Sequence, residues 1–132
     1  PLFEAYGEKY PPKLKVRLEK GAGIAGHEYA AYLRHRIRFQ REMVQRMARV
    51  DAVIMPVAST TAPRGLSTTG SSVFNRPWTF SGFPAMSLPT GLDANGLPFA
   101  VQMAAQPYCE ETLLDVAAWC EKVVAFPAAP AA

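Results

Sequence analysis

Histidine and cysteine are scarce in this sequence, with two of each in 132 residues. Cys109 and Cys120 stand eleven positions apart with no CxxC pair, and only His27 and His35 could join them. A disulfide frame is therefore not expected, nor is a metal site, and reduced thiols of this kind suit a cytoplasmic protein. Long apolar runs are missing too. Nothing approaches the roughly 20 residues that a helical membrane span requires, and no charged-then-apolar leader opens the chain, so no membrane partner is expected. Acidic charge is thin in one place: between Arg34 and Arg49 six arginines face a single acid, Glu42. Without interleaved aromatics or a groove-reading motif, that cluster reads as the wet face of a helix, and nucleic acid is not expected as a partner.

What is present suits one domain or part of one. The chain opens on PLFEAYGEKYPP, which reads as a segment entered midway, so a fragment or processed piece is expected. Residues 1–26 form a lead segment that ends in the glycine-rich turn GAGIAG and has room for a short helix. From His27 to about Val50 there is no Gly or Pro, which predicts the longest helix. Tyr29, Tyr32, Leu33, Ile37, Met43 and Met47 gather on one broad face suited to packing on a sheet. Arg36 and Gln40 fall inside that face. A buried guanidinium is costly unless paired, so Arg36 is expected to meet a carboxylate or several carbonyls, from this chain or from sequence outside it.

Asp51 to Val57 predicts a short buried strand stopped near Pro56. The Ser-, Thr-, Gly- and Pro-rich stretch Ala58 to Thr79 predicts a loop, and loops of that length are usually functional or mobile. Ala85 to Pro89 and Phe99 to Ala105 are joined across Asp93-Ala94-Asn95-Gly96, whose Asn-Gly pair predicts an antiparallel hairpin. Glu110 to Ala125 predicts a second helix, with Leu113, Ala117 and Cys120 inward and Trp119 outward. Residues 126–132 predict a disordered tail. Two main helices and about three short strands, an α/β arrangement, leave more apolar helix face than so small a sheet covers. This pattern is expected of a piece of something larger.

Read together, DAVIMPVA from Asp51, Ala62-Pro63, Thr69-Gly70, FNRPW from Phe74, SGFPAMSLPTG from Ser81, and GLPFAVQM from Gly96 resemble the C-terminal portion of the amidase signature family. The resemblance extends over most of the chain, with residues 27–125 as the C-terminal portion of the amidase domain. It implies an α/β/α sandwich with a mixed central sheet, and hydrolysis of carbon-nitrogen amide bonds through an acyl-serine intermediate. No cofactor is implied. The family's nucleophilic Ser, its second Ser after a cis peptide bond and its Lys lie in a Gly- and Ser-rich signature upstream of the matched region, and nothing here matches it.

Ser71 and Ser72 follow Gly70 but lack flanking glycines and a nearby Lys, so they read as loop rather than as a nucleophile. The catalytic residues carried over onto this chain are therefore none. For substrate binding the resemblance points to Phe74, Asn75, Trp78 and Gly82 as cleft lining, while Phe74 and Trp78 could equally pack the loop onto the core. The implied partners are the remainder of the parent amidase chain and a small-molecule amide, and association into a homo-oligomer is left open. Family members that transamidate glutamyl-tRNA commonly carry an acid near the position of Ser72, so a general amidase with an apolar or aromatic acyl pocket fits better. The competing expectation is a non-catalytic binding module built on the same scaffold.

Overall fold

The computed structural model describes residues 2–127. The chain divides into two compact units, residues 1–37 and 38–132. In the first, α1 (Leu2–Tyr6) runs through a 3-10 turn (Gly7–Lys9) towards α2 (Pro12–Ala22). Pro12 suits the first position of α2, where its missing N–H would be unpaired anyway. Phe3 and Tyr10 lie with ring centroids 5.9 Å apart, and Lys15 Nζ meets Glu8 Oε1 at 2.6 Å. The expected lead segment is thus largely helical. The turn after α2 gives way to α3 (Gly26–Arg46), where Glu28 reaches back to accept the N–H of Ala25 at 3.2 Å, as an acid in the first turn does at a helix start.

Helix α3 fulfils the expectation of a long helix, but its apolar face behaves differently from the sequence reading. Phe39, Gln40, Met43 and Met47 turn inward, whereas Tyr29, Tyr32, Leu33 and Ile37 are exposed. Arg36 is exposed with them, so no burial cost compels a partner, and the expected ion pair is not found among the described residues. The polar residue that does find one is Gln40, whose Nε2 donates to the carbonyl of Ser81.

The second unit is built on three strands, β1 (Val53–Pro56), β2 (Ala85–Leu92) and β3 (Pro98–Ala104), in the order β1-β3-β2. Both pairings are antiparallel, so the described strands do not themselves form the mixed sheet that the resemblance implied. The hairpin forms as the Asn-Gly pair predicts, with Gly96 at φ +75°, a conformation that costs glycine little. Residues alternate across the sheet, and both faces are covered near the end of β3. On one face Leu88 and Met103 pack against Leu113, Ala117 and Cys120 of α5 (Glu110–Val124). On the other, Val53, Met55 and Ala104 meet Met47, Trp78 and Phe83. Cys120 is core and Trp119 is exposed, as their helical positions require.

A short helix, α4 (Arg76–Ser81), occupies the end of the stretch expected to be loop. It follows the rule of proline near the start and glycine just past the end: Pro77 stands in the first turn, and Gly82, at φ +73°, returns its N–H to the carbonyl of Trp78 at 2.7 Å. No described helix is long and apolar enough to cross a membrane. Of the tail expected to be disordered, Phe126 and Pro127 are described, and 128–132 lie outside the described residues.

Candidate substrate groove

The second unit holds an open groove of about 690 Å³ beside the β2–β3 hairpin. Pro89 and Ala100, partners across β2 and β3, lie in its lining with Ser87 and Phe99. One wall is the segment from Val57 to Pro63, and Thr69, Gly70 and Ser71 complete it. Hydroxyls and apolar groups line it throughout. None of its lining residues is ionisable.

The wall is held by specific contacts. Val57 N–H continues the β1–β3 ladder to Ala100 O at 3.2 Å. Thr61 Oγ1 donates to Asp93 Oδ2 at 2.7 Å. That hydroxyl is the first cause holding the Asp93 carboxyl below its ordinary pKa, followed by the N–H of Leu97 and then the Asn95 contacts, all of which favour the charged form. Gly70, at φ +86°, turns the chain beside Pro63 and donates to Thr68 Oγ1 at 3.1 Å.

The serines behind Gly70 act as acceptors. Ser71 Oγ takes the N–H of Val73 at 3.3 Å, and Ser72 Oγ takes Arg76 Nε at 3.0 Å. An activated nucleophile instead gives its proton to a base, and the groove contains none. Among the described residues no cluster of three or more His, Cys, Asp or Glu could hold a metal ion.

The four residues expected to line a cleft gather around α4 instead of along this groove. Phe74 is half-buried, and its carbonyl accepts Gln102 Nε2 at 3.2 Å. Asn75, also half-buried, directly precedes α4, and its Oδ1 is enclosed without a hydrogen-bond partner. Trp78 is a core side chain: it lies against Phe83, centroids 6.0 Å apart, and its Nε1 points to Met55 Sδ at 3.1 Å. Gly82 is the exposed cap of the helix. In the sequence the groove wall is visible only as part of the long loop, and none of Ser59, Thr61, Ser87 or Phe99 stands out there. Two signals were available: the Ser-Thr-Thr-Ala-Pro run directly after a strand, and alternation along β2 that places Ser87 and Pro89 on one face.

The amidase family's sequence model matches residues 2–114. Among curated proteins, the chain is 32% identical to a glutamyl-tRNA(Gln) amidotransferase subunit of Granulibacter bethesdensis, over 98% of this chain and 29% of that protein. It is 33% identical to a fatty acid amide hydrolase of Medicago truncatula over 92% of this chain and 22% of that protein. A putative amidase, AmiD, of Mycobacterium tuberculosis is 29% identical over 85% of this chain and 26% of its own length. The chain thus spans less than a third of each of these relatives. A crystal structure of an amidase superposes with a TM-score of 0.78 at 22% identity, covering 92% of this chain and 30% of the other. A 6-aminohexanoate cyclic dimer hydrolase follows with a TM-score of 0.60 at 26% identity, covering 80% and 26%.

Proposed function

The chain belongs to the amidase signature family, and from that premise we propose that it is the C-terminal portion of an amidase that hydrolyses small-molecule amides through an acyl-serine intermediate. The nucleophile, its partner serine and the lysine base belong to sequence outside this chain. This portion contributes sheet and cleft wall, and alone it is inactive. Its partners are the rest of the parent chain, in the cytoplasm, and the amide substrate. Residues around α4, from Phe74 and Asn75 to Trp78 and Gly82, support the cleft from behind its wall.

One observation carries the choice of substrate: the groove offers hydroxyl and apolar surface with no ionisable side chain. A zwitterionic amino acid entering it would lose water from its charges with no countercharge to replace it, which is costly. An uncharged alkyl or aryl acyl group loses little and buries apolar area. Relatives named as glutamyl-tRNA(Gln) amidotransferases give glutamine a specific footing as the competing substrate. The groove and the hydroxyl at Ser72 favour the uncharged amide.

The test is to supply the full-length protein with simple aryl and alkyl amides, with hydroxylamine as acceptor. Hydroxamate formation is expected, since an acyl-enzyme partitions between water and a better nucleophile. The isolated chain should form none. Turnover by the isolated chain that persists after Ser71 and Ser72 are replaced would refute the proposal, and a full-length protein without any amide turnover would favour the non-catalytic module.

A further inference from the structure

The groove wall is tied to a turn that takes no part in lining it. Asp93 begins the reversal between β2 and β3, and its two carboxylate oxygens make different contacts. Oδ1 accepts the N–H of Asn95 at 2.8 Å and of Leu97 at 2.9 Å, which closes the turn. Oδ2 accepts the Thr61 hydroxyl at 2.7 Å, across 32 residues of sequence. The turn is also held by its own backbone, Gly96 N–H to Asp93 O at 3.0 Å and Asp93 N–H to Leu97 O at 2.9 Å. The carboxylate therefore has a fixed position whether or not Thr61 reaches it.

Thr61 itself lies in the groove lining, midway along the wall from Val57 to Pro63. We infer that Thr61 and Asp93 are a positioning pair that sets how far this wall stands from the sheet, and so selects amides by the size of their acyl group. The inference rests on reading the groove as the acyl site. A hydroxyl bound to a carboxylate makes a shorter and stronger hydrogen bond than a neutral pair does, so one contact can hold a segment rich in Ser, Thr and Pro. The arrangement also keeps the charge out of the groove, because Asp93 is not among the lining residues.

The experiment uses the full-length protein and two conservative variants. Thr61→Val removes the hydroxyl at nearly constant shape and leaves the Oδ1 contacts of the turn in place. Thr61→Ser keeps the hydroxyl. Hydrogen exchange of the Val57 N–H, which bonds Ala100 O where the wall leaves the sheet, is expected to quicken by about tenfold in Thr61→Val, the loss expected for a hydrogen bond to a charged group, and to stay near wild type in Thr61→Ser. In parallel, the kcat/KM ratio for a short aliphatic amide over a bulky aryl amide should move by several-fold in Thr61→Val, mainly through KM, and return in Thr61→Ser.

Unchanged exchange in Thr61→Val, or equal changes in both variants, would overturn the tether. Faster exchange with an unchanged substrate ratio would overturn size selection. If wild type turned over no amide, the amidase reading and size selection would fall together, while exchange would still decide whether Thr61 and Asp93 hold the wall.

Discussion

Gln102 donates its Nε2 to the carbonyl of Phe74 at 3.2 Å, which fastens the turn before α4 to the middle of β3. Gln102 is a buried polar residue on the sheet face that also carries Met55 and Ser87, its register partners. An amide there is satisfied only while the turn stays docked, so sheet and turn stabilise each other. Gln102→Leu leaves the Phe74 carbonyl without that donor and should cost about 1–3 kcal/mol in denaturant unfolding with the m-value unchanged. A variant as stable as wild type would show that the turn is held by packing alone.

Trp78 separates packing from lining. Its ring sits at 5% exposure between Met55 and Phe83. Trp78→Ala should lower stability by about 3–5 kcal/mol, while Trp78→Phe, which refills most of the volume, should recover much of that loss. If Trp78 only packs, KM for amide substrates will be near wild type in Trp78→Phe. A large KM change in that stable variant would identify the indole as a substrate contact.

Gly91 tests the groove from the other side. Thr90 is the extra residue where the register slips between Pro89 and Gly91, and a Cβ on Gly91 would come within 2.6 Å of Phe99 Cζ. Phe99 is 48% exposed, so its ring can swing aside without opening the core. Gly91→Ala is expected to change stability by less than about 1 kcal/mol, yet to alter KM for apolar amides, because Phe99 lines the groove. Thermal unfolding and steady-state kinetics on the same preparation would check both parts.

Acid should loosen the wall in a defined direction. The Asp93 carboxyl is held low by Thr61, Leu97 and Asn95, none of them ionisable. Because the folded pKa lies below the unfolded one, the stabilisation is complete above the unfolded value, about 3.9, and is lost as pH falls through the folded value. Hydrogen exchange at the Val57 N–H, which bonds Ala100 O at the start of the wall, corrected for its intrinsic pH dependence, should therefore show constant protection from about pH 7 to 5 and lose it only at strongly acid pH. Loss of protection near neutrality would point to a different group.

How much of this was legible depends on what kind of signal each element carries. Helix α5 and the hairpin were readable because helical spacing placed Leu113, Ala117 and Cys120 on one face, and because Asn95-Gly96 supplies the turn's positive φ. The family itself was readable from Gly82-Phe83-Pro84-Ala85 onward. Arg36 reads differently in the structure because periodicity reports which residues share a face and not how far along the helix that face is covered: Tyr32 and Leu33 before it are exposed, and cover begins only at Phe39 and Gln40. Helix α4 was missed because six residues are too few for a period, although Pro77 and Gly82 bracket it. The groove was missed because its wall has no period at all, and its tie to Asp93 joins positions whose proximity only the fold creates.

The central claim is that this part of the protein walls a site for uncharged amides. The most direct measurement is kcat/KM of the full-length protein across a series running from alkyl and aryl amides to glutamine. The account predicts at least about a tenfold preference for the uncharged acyl groups, the discrimination expected from roughly 1.4 kcal/mol of uncompensated desolvation. A preference for glutamine would contradict it.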